Sequence, residues 1–139
     1  MPTNREEKEF CYKEALKDSL VSVEMVLNHV RQLNGRQGEV ENKVLRVDKM
    51  RTILNLELVL TTYCVLLRKM AENQFITLTN EMKTDVNSII HSTKFEYEDR
   101  LVVYSIRGKE EVNLLALIKF GNDYVTGNNQ FCRQYSKKK

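Results

Sequence analysis

The spacing of apolar residues changes near residue 93 of this 139-residue chain. Before that point, apolar residues recur every three or four positions, which is typical of helices that bury one face. After it, apolar and polar residues alternate over short runs between glycines, which is typical of strands and hairpin turns. The pattern predicts an α+β fold in a single domain over 1–139, with a helical part over 1–92, a β part over 93–136 and a basic tail over 137–139.

The helical part divides into three predicted helices. Helix 1 spans about 4–34 and ends before Gly35, which can adopt the left-handed conformation that terminates helices. Helix 2 spans about 39–72, and the short polar connection before it should fold it back antiparallel on helix 1. Helix 3 spans about 79–92. Together they predict an antiparallel helical hairpin or three-helix bundle.

Helix 1 carries one apolar face along nearly its whole length, and helix 2 is apolar on several faces. An all-round apolar helix must be surrounded by protein, and one small chain has few helices to cover the segment from Ile53 to Leu67. We therefore expect a second copy or another protein to supply the rest. The stripe fits a coiled-coil seam or the core face of a bundle, and its width favours the bundle. The expected interface residues are Leu16, Leu20, Val23, Leu27, Val30, Leu54, Leu56, Leu58, Val59 and Leu60.

The predicted sheet is an antiparallel β-meander of three to four strands. Leu101 to Ile106 is rich in β-branched and aromatic residues, which favour strands. Turns are predicted after it at Gly108, Gly121 and Gly127, with strands between the turns and after the last one. The competing interpretation is a short helix within Glu110 to Ile118, because Glu, Leu and Ala favour helix.

The sequence contains no motif for catalysis, metal binding or cofactor binding. It has no glycine loop for phosphates or dinucleotides, no nucleophile elbow and no Cys-x-x-Cys pair. Its two histidines, His29 and His91, lie late in predicted helices, where a cation suits the helix dipole. The acidic residues Glu96, Glu98 and Asp99 stand beside two basic ones and fit a charge-balanced loop. We therefore expect no cofactor and no enzyme activity, although an enzyme without a recognisable motif stays open.

The cysteines indicate a reducing compartment. Cys11, Cys64 and Cys132 are odd in number and far apart in sequence, which fits free thiols better than a disulfide framework. Cys64 lies in the most apolar helical stretch and is expected in the core. The chain shows neither the basic, apolar start of a signal peptide nor an apolar run as long as a membrane span needs. These features predict an intracellular protein, cytoplasmic or nuclear, without a membrane span.

The formal net charge of +3 equals the contribution of the three C-terminal lysines, whereas a nucleic-acid-binding domain usually shows a broader basic excess. The leading hypothesis is therefore a non-enzymatic protein–protein interaction or assembly subunit, most simply a homodimer, with no small-molecule substrate. It would associate through apolar helical surfaces. The alternative is a small nucleic-acid-binding protein that stacks sheet aromatics on bases. Its expected contact residues are Arg107, Lys119, Tyr124, Arg133, Tyr135, Lys137, Lys138 and Lys139.

Overall fold

Four helices dominate the part of the chain that the structure describes. The structure is a computed structural model, and it describes residues 4–34, 43–91, 95–96, 103–106 and 111–127. The helices are α1 (Asn4–Asn34), α2 (Lys43–Glu72), α3 (Asn80–His91) and α4 (Leu114–Thr126). The bounds of α1 confirm predicted helix 1, and α2 and α3 end within a residue of the predicted helices 2 and 3.

Three short strands lie between α3 and α4. They are β1 (Phe95–Glu96), β2 (Val103–Ile106) and β3 (Glu111–Asn113), and they pair antiparallel in the order β1-β2-β3. Phe95 lies opposite Ile106, and Tyr104 lies opposite Val112. These strands are a small ribbon beside the helices.

The predicted α+β fold class and the β part over 93–136 are wrong. In the described part, the strands after residue 93 are only two to four residues long, and the largest element there is helix α4. The segments 112–120 and 124–126 were expected as strands around a turn at Gly121. Instead, the Asn113 side chain accepts a hydrogen bond from the Ala116 backbone N–H and caps the start of the helix. Gly127, in the left-handed conformation with φ 76°, ends it. The buried residues of α4 recur at helical spacing and are Leu114, Leu117, Ile118, Gly121 and Tyr124.

The core of the fold lies between α2 and the elements around it. The α1 and α2 helices run antiparallel and share the largest interface, while α3 packs on α2 and α4 packs on α1. The Tyr63 hydroxyl of α2 donates a hydrogen bond to the Leu117 carbonyl and links α2 to α4. Leu56, Leu60 and Leu67 of α2 are at most 1% exposed. The centre of α2 is therefore also the centre of the fold, as the sequence predicts.

The end of α2 is built without glycine or proline. The Phe75 N–H bonds to the Met70 carbonyl and the Gln74 N–H to the Ala71 carbonyl, which is the pattern of a Schellman motif. Gln74 takes the left-handed position with φ 64°. The Arg5 side chain of α1 donates to the Asn73 and Gln74 carbonyls and lies 4.5 Å from the centre of the Phe75 ring. The first turns of α1 therefore fasten the α2–α3 connection.

Some predicted features lie outside the described residues. They are the loop over 35–38, the start of helix 2 over 39–42, the acidic residues Glu96 (as a side chain), Glu98 and Asp99, the turn at Gly108, the final strand over 130–135, Cys132 and the tail over 137–139.

One helical segment, Met50–Glu72, is long and apolar enough by length and composition to cross a membrane, with a mean hydropathy of 1.4. A third of the most apolar 18-residue stretch of this segment is buried in the fold. A core helix of a water-soluble domain satisfies the same criterion. The absence of a membrane span stays a prediction.

Candidate interaction face

Helix α2 is apolar on two sides. Its core side carries Leu56, Leu60, Tyr63, Leu67 and Met70, all of them at most 1% exposed. Its other side carries a second row at steps of three and four, which we call the outward seam. The outward seam consists of Met50, Leu54, Leu58, Thr61 and Val65.

The outward seam exposes large apolar side chains to solvent. Met50 is 67%, Leu54 61% and Leu58 68% exposed, while Thr61 and Val65 are half-buried. On the neighbouring helix α1, Met25 is also 67% exposed. Isolated exposed apolar residues are common on protein surfaces, whereas large contiguous apolar patches are found at interaction sites. The row along α2 is contiguous because its members are neighbours on one helical face.

A groove of about 560 Å³ runs between α1 and α2 beside the outward seam. We call it the α1–α2 groove. Its α1 wall has small or polar residues, and its α2 wall has larger apolar ones. The groove is lined by Ala15, Asp18, Ser19, Ser22, Leu58, Val59, Thr62 and Leu66.

Two of the hydroxyl groups in the groove are already satisfied by their own helices. Ser22 donates to the Asp18 carbonyl at 3.3 Å, and Thr62 donates to the Leu58 carbonyl at 3.0 Å. Ser19 differs from them, because it is only 9% exposed and its side chain has no hydrogen-bond partner within the described residues. The Asp18 carboxylate likewise has no ion pair there. The groove therefore offers one carboxylate and one buried hydroxyl to an occupant.

The polar end of the same interhelical surface lies toward the start of α2. A smaller pocket of about 220 Å³ there is lined by Met25, Val26, His29, Asp48, Arg51, Thr52 and Asn55. Arg51 is exposed, and within the described ranges it makes no ion pair or hydrogen bond through its side chain. Thr52 donates to the Asp48 carbonyl at 2.7 Å. An unpaired guanidinium thus stands at one end of the outward seam.

The structure divides the ten predicted interface residues into two groups. Seven lie in the core of the single chain, at 0–4% exposure, so they are not available on the surface; they are Leu16, Leu20, Val23, Leu27, Val30, Leu56 and Leu60. Leu54 and Leu58 are exposed on the outward seam, and Val59 is half-buried in the groove. Met50, Asp18, Ser19 and Arg51 were not predicted for this face. A helical wheel of α2 places Met50 with Leu54 and Leu58, so that residue could have been found.

The residues expected to contact nucleic acid do not form one surface where they are described. Tyr124 belongs to α4, is 2% exposed and donates to the Glu9 carboxylate at 3.1 Å. Lys119 is exposed and pairs with Asp123 at 2.9 Å. The remaining six residues, Arg107, Arg133, Tyr135, Lys137, Lys138 and Lys139, lie outside the described residues. No observation in the described part favours this alternative.

The buried titratable groups belong to the core. Burial, with a smaller contribution from the Asp85 carboxylate, raises the pKa of the Cys64 thiol to about 12. Burial also raises the pKa of the Tyr63 phenol far above its usual range, with Cys64 adding to the rise and the Gly121 backbone opposing it. A thiol held neutral is a poor nucleophile. Cys64 is therefore the core residue that the sequence predicts.

No group of three or more His, Cys, Asp or Glu side chains in the described ranges is placed to hold a metal ion. Comparisons with protein-family models, with curated proteins and with solved structures found no match for this chain.

Proposed function

We propose that this chain is a non-enzymatic helical interaction protein that binds a protein partner through the outward seam of α2 and the α1–α2 groove. The observation that carries the proposal is the second apolar side of α2. That side exposes Leu54 and Leu58 by more than half, although the core side of the same helix is fully covered.

Burial of this face would contribute substantial free energy. A fully buried leucine gains about 1.5–3 kcal/mol over an exposed one. Leu54 and Leu58 are about two-thirds exposed, so covering them would contribute on the order of 1–2 kcal/mol each. Met50 and Met25 add flexible apolar side chains that adapt to irregular partner surfaces. Leu58 lines the α1–α2 groove and Met25 the smaller pocket beside it, so the exposed apolar residues border both.

The geometry suits a helical occupant. The groove lies between two antiparallel helices, and its α1 wall is lined by Ala15, Ser19 and Ser22. Small side chains on one helix leave room for larger side chains of a partner helix to insert. An amphipathic helix that places its apolar face in such a groove is a common mode of protein recognition.

The test is a pair of charge substitutions on the face and one matched substitution away from it. Leu54→Glu and Leu58→Glu should abolish association, measured by sedimentation of the purified chain and by capture of bound proteins from its native source. The control is Leu115→Glu, because Leu115 is exposed at 44% but lies on α4. All three variants should retain the wild-type far-UV circular dichroism.

Unchanged association of both Leu54→Glu and Leu58→Glu would refute the proposed function. Loss of association in the Leu115→Glu control to the same degree would refute it as well, since the effect would then not belong to this face.

A further inference from the structure

We propose that the occupant of the face is a second copy of this chain, with the two α2 helices antiparallel about a twofold axis. In this arrangement Leu54 packs against the partner's Leu58, and Arg51 forms an ion pair with the partner's Asp18. The inference rests on the proposed function, because it names the partner of the same face.

The apolar residues set the register. Between Arg51 and Arg68, the outward seam of α2 carries no charged residue. A twofold axis between Leu54 and Leu58 brings each of these leucines opposite the other one in the partner subunit. The same register places Met50 opposite the partner's Thr62. A closed twofold interface uses one patch twice, so an apolar row of this kind is complementary to itself.

The same register brings opposite charges together. When Leu54 faces the partner's Leu58, Arg51 lies three residues further along the helix, at the level of the partner's Thr61, which precedes Thr62 in α2. Thr62 and Asp18 line the same stretch of the α1–α2 groove. The guanidinium of Arg51 therefore reaches the partner's Asp18 carboxylate, and the twofold axis repeats the pair. Two side chains that have no ion-pair partner within the described residues of one chain thus acquire one.

These two side chains cannot pair within a single chain. Arg51 lies about three turns of α2 before Thr62, which corresponds to roughly 16 Å along the helix axis. Asp18 lies at the level of Thr62, so it is beyond the reach of Arg51 in its own subunit. A parallel arrangement would instead place Arg51 beside the partner's Arg51 and leave Asp18 without a cation. The charges therefore favour the antiparallel pairing.

Ser19 is a second polar group in the groove that the partner's Arg51 can bind. Its side chain is 9% exposed, has no hydrogen-bond partner among the described residues, and lines the groove next to Asp18. A buried polar group normally has a partner. The guanidinium has five N–H donors in a fixed plane, so it can serve the Asp18 carboxylate and the Ser19 hydroxyl together.

The experiment is a charge exchange measured by sedimentation equilibrium of the full chain. Asp18→Arg and Arg51→Asp should each weaken dimerisation by about tenfold or more, since each change places like charges together twice in the dimer. The double variant carrying both changes restores the opposite charges and should return to within about threefold of the wild-type dissociation constant. The control is Lys83→Glu, because Lys83 is exposed on α3.

The outcomes separate this inference from the proposed function. Restored dimerisation in the double variant supports the antiparallel pairing. A dimer that Leu58→Glu abolishes but the charge exchange does not restore overturns the pairing and leaves the proposed function standing. A wild-type chain that stays monomeric in sedimentation, yet captures a different protein through Leu58, overturns the second copy as occupant. A dimer insensitive to Leu58→Glu overturns both.

Discussion

Replacing Gly121 by alanine tests how closely α4 approaches α2. A Cβ at residue 121 would overlap the Tyr63 hydroxyl oxygen and lie 3.1 Å from its Cζ atom. The ring cannot swing aside, because Tyr63 is fully buried and its hydroxyl is held by the Leu117 carbonyl. Overpacking of this kind costs about 1–3 kcal/mol, whereas Gly→Ala inside a helix gains about 1 kcal/mol. We expect a net loss of up to about 2 kcal/mol in the free energy of unfolding.

The assay is urea denaturation of the wild type, Gly121→Ala, Tyr63→Phe and the double variant, followed by far-UV circular dichroism. Tyr63→Phe alone should cost about 1 kcal/mol, because it removes a buried hydrogen bond. In the double variant the new methyl group meets no hydroxyl oxygen. Its loss in the free energy of unfolding should therefore be about 1 kcal/mol smaller than the sum of the losses in the two single variants. If Gly121→Ala stabilises the chain and the two changes are additive, the close approach is refuted.

Three further substitutions test other contacts. Gln74→Gly should raise the free energy of unfolding by about 0.5–1 kcal/mol in urea titrations, because it relieves a left-handed backbone with φ 64°; a loss would contradict the Schellman geometry. Arg5→Ala should lower the melting temperature and Lys8→Ala less so, because Arg5 makes two backbone hydrogen bonds and a cation–π contact. The pKa of the buried Cys64 thiol is raised from 9.0 to about 12. The stabilisation linked to this shift is therefore fully present below pH 9. Above pH 9 the free energy of unfolding should fall by up to about 1.4 kcal/mol per pH unit. Urea titrations between pH 8 and 10 should show a shallower decline for Cys64→Ala; an equal decline would exclude Cys64 as the cause.

The first three helices could be predicted from the sequence because their cores repeat at steps of three and four. The stripe of Leu16, Leu20, Val23, Leu27 and Val30 is buried throughout, so pattern and packing coincide. The end of α2 could be predicted only from the fading of its pattern. The residue that terminates it is a glutamine in a conformation that usually takes glycine.

Helix α4 was missed because its signals compete. Gly121 and the Asn-Asp pair after it resemble a turn, and the segment before it is rich in residues that both helices and strands use. The glycine has a different reason: it admits the Tyr63 ring, which is 58 positions earlier in sequence. Such a contact is not visible to any local rule. The caps at Asn113 and Gly127, by contrast, are readable in the sequence.

The sequence could not show which of the two apolar sides of α2 would be exposed for an interface. The pattern separates Leu54, Leu58 and Val65 from Leu56 and Leu60, but both sets are equally hydrophobic. Which side faces the core depends on where α1, α3 and α4 pack, and this is a tertiary property. Asp18 and Arg51 carry no local signal at all, because their importance depends on the groove between two helices.

The tie between Tyr124 and Glu9 has a consequence for how the polypeptide is made on the ribosome. Translation delivers the start of α1 long before α4 has left the exit tunnel, so the α1–α2 hairpin emerges with its hydrophobic surfaces unshielded. Domains generally fold as units during synthesis, and surfaces exposed at this stage are prone to aggregation. The chain therefore exposes these surfaces until α4 has emerged and docked, so aggregation is most favoured during this interval of its synthesis.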